Sequence, residues 1–212
     1  MPRGDWRVYV ITDSNNARGR SHYEIAEAAV RGGATAVQLR MKHEPARIIL
    51  EEARRIAALC LAAGVTFIVN DRVDVTLASG AAGAHVGQDD LPAEAARRLL
   101  GPGPLLGVSA ATEEEAEAAW RVGADYLGVG AVFATGTKAD AGAPVGVSRI
   151  EAIRRAVPLP VVGIGGITAD NAAAVIRAGA AGVAVITAVT LADDMVEATR
   201  RLREQVDAAL AR

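Results

Sequence analysis

Charged and amide side chains follow one of the first apolar segments of the chain. Gln38 and Arg40 are two residues apart, so side-chain alternation in a strand would turn both to the same side, and Lys42 follows them. Lys42 and Lys138 are the only lysines among 23 Lys and Arg residues. Because an ammonium group is compact and mobile, it suits phosphate oxygens. These residues favour a site for a phosphorylated ligand, although Gln38 could equally belong to a structural hydrogen-bond layer and Arg40 to a surface ion pair.

Aspartates follow the next two apolar segments. Asp71 comes directly after Thr66–Asn70, and Asp89 and Asp90 come shortly after His85. Carboxylates from two neighbouring strands could share a hard divalent cation, since Mg2+ needs only one or two protein carboxylates when substrate phosphates complete its shell. Helix capping is the alternative, because these aspartates precede predicted helices. The pattern alone leaves Asp89 and Asp90 equivalent.

Glycines and small polar residues follow two later apolar segments. Gly165 and Gly166 come after Val161–Ile164, and Thr187 comes after Gly182–Ile186. Glycine permits close approach of a ligand to the backbone, and the N–H groups at a helix start are unpaired donors, so such turns favour a bound phosphate. Two tight turns without a ligand are the alternative.

Ser109 ends another apolar segment and is a further candidate for the site. Its hydroxyl could donate to a phosphate or to a ring nitrogen, or it could cap the helix that begins near Glu113. The histidines, His22, His43 and His85, do not form a metal-binding pattern. No serine, histidine and acid stand in a recognisable catalytic pattern, so hydrolysis through a covalent intermediate is not expected.

The elements that must position these residues are eight apolar segments, each followed by a helical stretch. The predicted strands are Val8–Thr12, Ala36–Arg40, Thr66–Asn70, Ala84–Gly87, Leu105–Ser109, Asp125–Gly130, Val161–Ile164 and Gly182–Ile186. The predicted helices lie near Tyr23–Arg31, Ala46–Ala62, Val73–Leu77, Ala93–Leu100, Glu113–Arg121, Ser148–Ala156, Asn171–Ala178 and Asp194–Leu210. Glycine-alanine pairs at 33–34, 80–81, 123–124 and 179–180 each end a helix before every second strand, which indicates four βαβα quarters.

Strands that alternate with helices, without a hairpin signal, predict a parallel sheet. Eight repeats favour a (β/α)8 TIM barrel formed by a single compact domain over residues 1–212, with an open doubly wound sheet as the alternative. In such barrels the active site lies at the carboxyl ends of the strands, and the loops after strands 7 and 8 commonly hold a phosphate. The longest irregular connection, Ala131–Val147, could fold over a ligand as a lid.

Composition limits the kinds of partner. A net charge of −2 does not provide the broad positive field that binding to nucleic acid or to an anionic membrane requires. No segment approaches the roughly 20 apolar residues of a membrane span, and the chain begins without an apolar signal core. A single cysteine, Cys60, excludes an internal disulfide and agrees with a cytoplasmic protein; its apolar neighbours indicate a buried thiol. We therefore expect small-molecule ligands, and the composition is compatible with a homo-oligomer.

The predicted mouth of the barrel combines three cations, two acids and a glycine turn of phosphate size. This set suits the departure of a phosphorylated group, because a metal and cations can neutralise the leaving oxygens while a second substrate is held in line. The sequence supplies no obvious base. A nucleophile that already carries a lone pair would not need one.

Over nearly its whole length the chain resembles the thiamine phosphate synthase family. The matching motifs are Tyr9-Val-Ile-Thr-Asp13, Val37-Gln-Leu-Arg40 with Lys42, Val69-Asn-Asp-Arg-Val-Asp74, His85-Val-Gly-Gln88 with Asp90, Gly107-Val-Ser109, Gly123-Ala-Asp-Tyr126, Thr135-Gly-Thr-Lys138, Gly163-Ile-Gly-Gly-Ile167 and Val185-Ile-Thr187. Each motif is weak alone, but their order and spacing together are specific. The resemblance implies a (β/α)8 enzyme that joins 4-amino-2-methyl-5-(diphosphooxymethyl)pyrimidine to a thiazole phosphate, giving thiamine phosphate and diphosphate.

The resemblance also implies roles for individual residues. Mg2+ would be held by Asp71 and Asp90. The pyrimidine diphosphate would be held by Gln38, Arg40, Lys42, Asn70, Ser109 and Lys138. The thiazole phosphate would be held by Thr135, Thr137, Gly166, Ile186 and Thr187. Among these, Arg40, Lys42, Ser109 and Lys138 are the candidate catalytic residues, because they would contact the reacting substrate and its leaving group.

The chain departs from the family pattern at several positions. Members commonly have a histidine two residues after the serine of the Ser109 motif, where this chain has Ala111. A related branch, the thiazole tautomerases, looks to use that histidine for proton transfer, so Ala111 argues against a tautomerase. Met41 replaces a usual acidic residue, and Ala131 and Ala134 stand where prolines are frequent, which favours a more mobile lid. The alternatives to a synthase are a thiazole tautomerase and a non-catalytic barrel that binds a phosphorylated metabolite.

Overall fold

Eight parallel strands form a closed barrel in the computed structural model, which describes residues 4–136 and 143–211. Each strand pairs with the next along the chain, and the last pairs with the first, with Val8 opposite Val183. The strands are β1 (Val8–Thr12), β2 (Ala36–Leu39), β3 (Thr66–Asn70), β4 (Gly83–Val86), β5 (Leu105–Ser109), β6 (Tyr126–Val129), β7 (Val161–Ile164) and β8 (Gly182–Val185). The predicted barrel is therefore confirmed, and the open sheet is wrong.

Helices follow the strands and surround the barrel. They are α1 (His22–Arg31), α2 (Ala46–Ala63), α3 (Val73–Ser79), α4 (Ala93–Leu100), α5 (Glu113–Arg121), α6 (Gly146–Ala156), α7 (Ala172–Arg177), α8 (Thr187–Thr190) and α9 (Met195–Leu210), with a 3-10 turn at Ser14–Asn16. The short helix α8 was not predicted, because four residues are too few to show a helical period. Among the helices within 4–136 and 143–211, none is long and apolar enough to cross a membrane.

The glycines that end every second unit have the backbone conformation that the sequence predicts. Residues 33, 80, 123 and 179 have φ values between 81° and 96°, a region that L-amino acids with a side chain rarely adopt. At these turns each helix ends, and the next strand of the barrel begins within a few residues.

Apolar residues are buried on both faces of the strands, which explains why the strand sequences read as continuous apolar runs. The larger apolar cluster lies between strands and helices and includes Cys60, whose burial raises the pKa of the thiol to about 12. A smaller cluster, which contains Trp6, Tyr9, Ile68 and Tyr126, fills the barrel interior. The interior is therefore packed with large side chains below the mouth, and the mouth itself is left to polar groups.

Candidate active site

A cavity of about 290 Å3 gathers residues from the carboxyl ends of the strands. It is lined by all the predicted site residues that the structure describes: Gln38, Arg40, Lys42, Asn70, Asp71, Asp90, Ser109, Thr135, Gly166, Ile186 and Thr187. Thr137 and Lys138 lie outside the described residues. Residues that are far apart in sequence thus meet at one end of the barrel because parallel strands carry their following loops to the same edge.

Arg40 lies in a buried ion pair at this mouth. Its Nη1 is 2.6 Å from Oδ2 of Asp13, and the two side chains are 14% and 3% exposed. The other oxygen of Asp13 accepts the N–H of Asn15 at 2.9 Å and so caps the turn after β1. The buried Nε of Arg40 has no hydrogen-bond partner within the described part of the chain. Asp13 therefore holds one edge of the guanidinium and leaves another donor for an anion, and the alternative of a surface ion pair is wrong.

Lys42, Asp71 and Asp90 form a second charged group across the mouth. The ammonium of Lys42 is 3.5 Å from Oδ2 of Asp71. Burial and a hydrogen bond with the Asp90 carboxyl raise the pKa of Asp71 to about 6. Burial alone would raise the pKa of Asp90, but the hydrogen bonds from Asp71 and from the N–H of Gly87 outweigh it and lower that pKa. Two carboxyl groups this close repel each other when both are ionised, so the pair is suited to share a cation.

The two aspartates are held by backbone geometry rather than used as helix caps. Helix α3 begins after Arg72 and helix α4 after Pro92, so Asp71 and Asp90 precede the capping positions. Oδ2 of Asp90 accepts the N–H of Gly87 at 2.8 Å. Asp71 has a φ of 61°, an unusual conformation for a residue with a side chain and one that is concentrated at functional sites. The capping alternative is therefore wrong for this pair.

The donor set of this acidic pair fits a hard divalent cation. Mg2+ binds carboxylate oxygens and keeps several positions for water and substrate phosphate oxygens. No cluster of three or more His, Cys, Asp or Glu side chains with a ligating geometry occurs in residues 4–136 and 143–211. Two carboxylates beside the ammonium of Lys42 match an ion whose shell is completed by a bound ligand, and they do not match a closed structural metal site.

Asn70 places an unsatisfied amide in the cavity wall. The residue is 8% exposed, and within the described chain its Nδ2 has no hydrogen-bond partner. An unpaired buried donor costs free energy, so such a group is expected to bind something that is present when the protein works. Asn70 is the last residue of β3 and directly precedes Asp71, and both residues line the same cavity as Asp90.

A chain of polar side chains crosses the barrel interior below the cavity. Nε2 of Gln38 donates to the Tyr9 hydroxyl at 2.7 Å, and the hydroxyls of Tyr9 and Tyr126 are 3.0 Å apart. Nδ1 of His85 is 3.1 Å from the Tyr126 hydroxyl, and Nε2 of His85 is 3.0 Å from Oγ of Ser109. Ser109 therefore contacts His85, and helix α5 is capped by Thr112 instead. Gln38 therefore belongs to a structural hydrogen-bond network, which was the alternative for this residue, and it also lines the cavity.

The glycine turn after β7 packs against the segment that follows β6. A Cβ atom added at Gly166, which has a φ of 63°, would lie 2.5 Å from the carbonyl oxygen of Ala134 and 2.8 Å from Cβ of Phe133. A second cavity of about 470 Å3 adjoins the first and shares Gly166, Thr135 and Thr187 with it. The absence of a side chain at Gly166 thus lets two loops approach closely beside this second cavity, whose lining includes hydroxyl groups and backbone.

At the position of the usual family histidine, Ala111 offers its backbone alone. Its N–H donates to Oε2 of Glu115 at 2.6 Å, and both residues line the cavity. Glu115 is also in the first turn of α5, where a carboxylate is favoured by the helix dipole. Where the family commonly has a histidine, this chain therefore has Ala111 with the carboxylate of Glu115 beside it.

Comparison with known proteins gives a consistent family. The family model described as thiamine monophosphate synthase matches residues 8–189. The thiamine-phosphate synthase of Moorella thermoacetica is 56% identical over 209 residues, which are 99% of each chain. That of Chloroflexus aurantiacus is 57% identical over 202 residues, or 95% of this chain and 93% of its relative. A solved structure, the thiamine phosphate pyrophosphorylase from Pyrococcus furiosus, is 40% identical, covers 98% of both chains and superposes with a TM-score of 0.90.

Proposed function

The chain belongs to the thiamine monophosphate synthase family, and on this premise we propose how its cavity performs the thiamine-phosphate synthase reaction. The enzyme is a transferase of thiamine synthesis that acts on small molecules. It joins the pyrimidine diphosphate to a thiazole phosphate and releases diphosphate. A single observation supports the assignment of the site: Arg40, Lys42, Asp71 and Asp90 line the same cavity as the Gly165-Gly166 turn.

The diphosphate of the first substrate binds between Arg40 and the acidic pair. Arg40 offers its unpaired Nε, and Lys42 offers a mobile ammonium group beside Asp71. Asp71 and Asp90 would hold Mg2+, which would supply positive charge to the leaving oxygens. Lys138 adds a further cation from the segment after β6. These groups stabilise the negative charge that develops on the leaving group.

The pyrimidine ring lies deeper in the barrel. Asn70 and Ser109 present an amide and a hydroxyl to it, and Gln38, which its bond to Tyr9 holds in place, lines the same cavity. The unsatisfied Nδ2 of Asn70 supports this placement, because a ring nitrogen or a diphosphate oxygen would complete it. The ring is thereby oriented with its methylene carbon toward the second substrate.

The thiazole phosphate binds where the loops after β6, β7 and β8 meet. Thr135 and Thr187 offer hydroxyl groups, and the bare backbone at Gly166 allows an oxygen to approach closely. Ile186 contributes apolar contact, and Thr137 a further hydroxyl. Because β7 and β8 lie across the closed barrel from β3 and β4, this placement would put the thiazole across the cavity from Asp71 and Asp90, as in-line displacement of the diphosphate requires.

The chemical step needs charge stabilisation more than proton transfer. The aminopyrimidine donates electrons toward its methylene carbon, the C–O bond breaks, and the diphosphate leaves with the electron pair. The lone pair of the thiazole nitrogen then forms the new C–N bond. The nucleophile carries no proton, so the cavity performs this step without a general base. Arg40 and Lys42 lower the barrier because they interact more strongly with the leaving anion than with the bound substrate.

Steady-state kinetics with both substrates and Mg2+ test the site. Arg40→Gln and Lys42→Gln should each lower kcat for thiamine phosphate formation by about a hundredfold, a magnitude typical of lost transition-state charge stabilisation. Arg47→Gln is the matched control, since Arg47 lies on α2 with its side chain 77% exposed. Unchanged turnover in both site variants would refute the assignment of Arg40 and Lys42 to the diphosphate site. Absence of product from the wild-type protein at every Mg2+ concentration would contradict the activity itself, and isomerisation of a thiazole substrate without the pyrimidine would indicate a tautomerase.

We also propose that residues 1–212 act as one domain in the cytoplasm. The matches to relatives run through nearly the whole chain, as expected for one barrel. The single thiol is buried, and a chain with one cysteine gains nothing from an oxidising compartment. Fractionation of cells that express the protein would test the location.

A further inference from the structure

The polar chain beneath the cavity has a fixed direction. Gln38 donates from its amide nitrogen to the Tyr9 oxygen, so the proton of the Tyr9 hydroxyl must be donated elsewhere. Gln38 and Tyr126 are the two side chains that contact this hydroxyl in the described structure, and Tyr126 is the one that can accept. Tyr9 is 2% exposed, so a hydroxyl proton without an acceptor there would cost folding free energy. Tyr9 therefore donates to Tyr126.

The same reasoning continues along the chain. The Tyr126 oxygen accepts from Tyr9, so its own proton goes to Nδ1 of His85 at 3.1 Å. A neutral histidine that accepts at Nδ1 carries its proton on Nε2. That proton points to Oγ of Ser109 at 3.0 Å. Burial raises the pKa of both tyrosines, which keeps them as neutral donors.

The barrel is built to accommodate these rings. A Cβ atom added at Gly107 would lie 2.1 Å from Cζ of Tyr126 and 2.5 Å from Nδ1 of His85, and one added at Gly128 would lie 3.0 Å from Cε1 of His85. Trp6 stacks on Tyr126 with ring centroids 3.9 Å apart. Two adjacent strands thus lack side chains where the chain passes, and the rings have little freedom to turn.

We propose that Gln38, Tyr9, Tyr126 and His85 form a directed donor chain that ends at Ser109 and makes its hydroxyl a hydrogen-bond donor toward the pyrimidine substrate. Tyr9, Tyr126 and His85 are positioning residues, since they act on the substrate through Ser109. Because Ser109 Oγ accepts from His85, its own proton is directed to a substrate atom with a lone pair, a ring nitrogen or a diphosphate oxygen. A substrate with an N–H at that place would meet two opposing donors and bind poorly. The inference rests on the proposed assignment of Ser109 to the pyrimidine substrate.

A double-mutant cycle tests the coupling. Tyr126→Phe keeps the ring and removes the hydroxyl, and we expect it to lower kcat/KM for the pyrimidine diphosphate about tenfold, as for one lost buried hydrogen bond. Ser109→Ala should lower the same constant at least as much. The double variant should be no worse than Ser109→Ala, because Tyr126 acts through Ser109. Tyr23→Phe on the outer helix α1 is the matched control and should leave the constant unchanged in both backgrounds.

The outcomes separate this inference from the site assignment. If Ser109→Ala loses no activity, both the role of Ser109 and the donor chain are refuted. If Ser109→Ala loses activity while Tyr126→Phe has no effect, or adds its full effect to that of Ser109→Ala, the donor chain alone is refuted.

Nitrogen NMR of the wild-type protein gives a second test, because it reads the direction of the donor chain without an activity measurement. With 15N-labelled histidine, the His85 resonances, assigned by their loss in His85→Asn, should show the proton on Nε2 and an accepting Nδ1. A proton on Nδ1, or a cationic ring at neutral pH, would overturn the proposed direction. In Tyr126→Phe the Nδ1 resonance should shift toward that of a free ring nitrogen.

Discussion

Replacing Asp13 by asparagine tests whether this buried carboxylate holds Arg40 ready for an anion. The substitution keeps an oxygen that can accept the N–H of Asn15, but it removes the negative charge 2.6 Å from the guanidinium. The two side chains are 3% and 14% exposed, so water cannot replace the lost charge. The variant therefore leaves a nearly buried cation without its partner.

The magnitude follows from that burial. Breaking a buried pair by removing one partner costs about 3–5 kcal/mol. Some exposure of Arg40 and the retained polar contact place the expected loss in the unfolding free energy of Asp13→Asn at about 3 kcal/mol. For a chain of this size each kcal/mol lowers the Tm by about 2–4 °C, so the expected decrease is about 6–12 °C.

Calorimetry measures this decrease, and Asp193→Asn is the matched control. Asp193 pairs with Arg18 at 2.5 Å, but their side chains are 97% and 55% exposed, so the same substitution should change the unfolding free energy by less than about 0.5 kcal/mol. The double variant Asp13→Asn/Arg40→Gln should be more stable than Asp13→Asn, since it removes the unpaired charge. Equal stability of the two variants would refute the assigned pairing.

Diphosphate with Mg2+ should restore part of the lost stability. Because the ligand supplies negative charge to Arg40, saturating diphosphate should raise the Tm of Asp13→Asn by about 3 °C more than that of the wild type, or roughly 1 kcal/mol. An identical shift in both proteins would mean that Arg40 does not bind the diphosphate. A larger shift would link the stability of this pair directly to substrate binding.

Three further predictions address the acidic pair and the glycine turn. Asp90→Asn should abolish Mg2+-dependent turnover, whereas Asp89→Asn at the exposed neighbouring position should retain it, as a kinetic titration with Mg2+ would show. The pKa of Asp71, about 6 when folded and so above its unfolded value, means that the folded state binds the proton more tightly. Without Mg2+, the unfolding free energy of the wild type relative to Asp71→Asn should therefore fall as the pH rises from about 4 to about 7. The expected decrease is about 1–2 kcal/mol after allowance for solvent screening, and denaturant titrations would measure it. No change in this difference with pH would contradict the raised pKa. Gly166→Ala should raise KM for the thiazole phosphate far more than KM for the pyrimidine diphosphate, whereas Gly64→Ala, with a similar φ of 68° and nothing within 4 Å, should cost only about 1 kcal/mol of stability; equal kinetics would contradict the close approach of the loops.

The strands and most helices could be predicted because their signals are local. A parallel strand buried on both faces reads as a short apolar run, and the turn glycines at 33, 80, 123 and 179 mark where each helix ends. Helix α8 was not predicted, because its four residues come shortly after β8 and are too few to show a helical period. The ends of the strands also fixed which residues could reach the mouth, so the candidate list could be drawn up without knowing any distance.

Asp13 and the donor chain could not be predicted, because their roles depend on contacts across the barrel. Asp13 follows a strand and precedes a turn, so its sequence environment is that of an ordinary cap, which it also is. His85 and Tyr126 are 41 residues apart, and only the closed register brings them together. One signal was available: glycines at 107 and 128 interrupt apolar strands, and a glycine inside a strand often marks the close approach of a large neighbour.

The charges of the described mouth explain why a metal ion should accompany the substrate. Arg40 and Lys42 are each paired with an internal carboxylate, Asp13 and Asp71, and Asp90 adds a third acid. In the described part of the chain two cations therefore face these three carboxylates, and Asp89 and Glu115 also line the cavity. A diphosphate would add further negative charge to a region that already has an excess. A divalent cation between the two aspartates would bring positive charge to this region together with the anion. The acids thus keep the cations in place before the substrate binds, and under the proposed Mg2+ assignment substrate binding would depend on the metal.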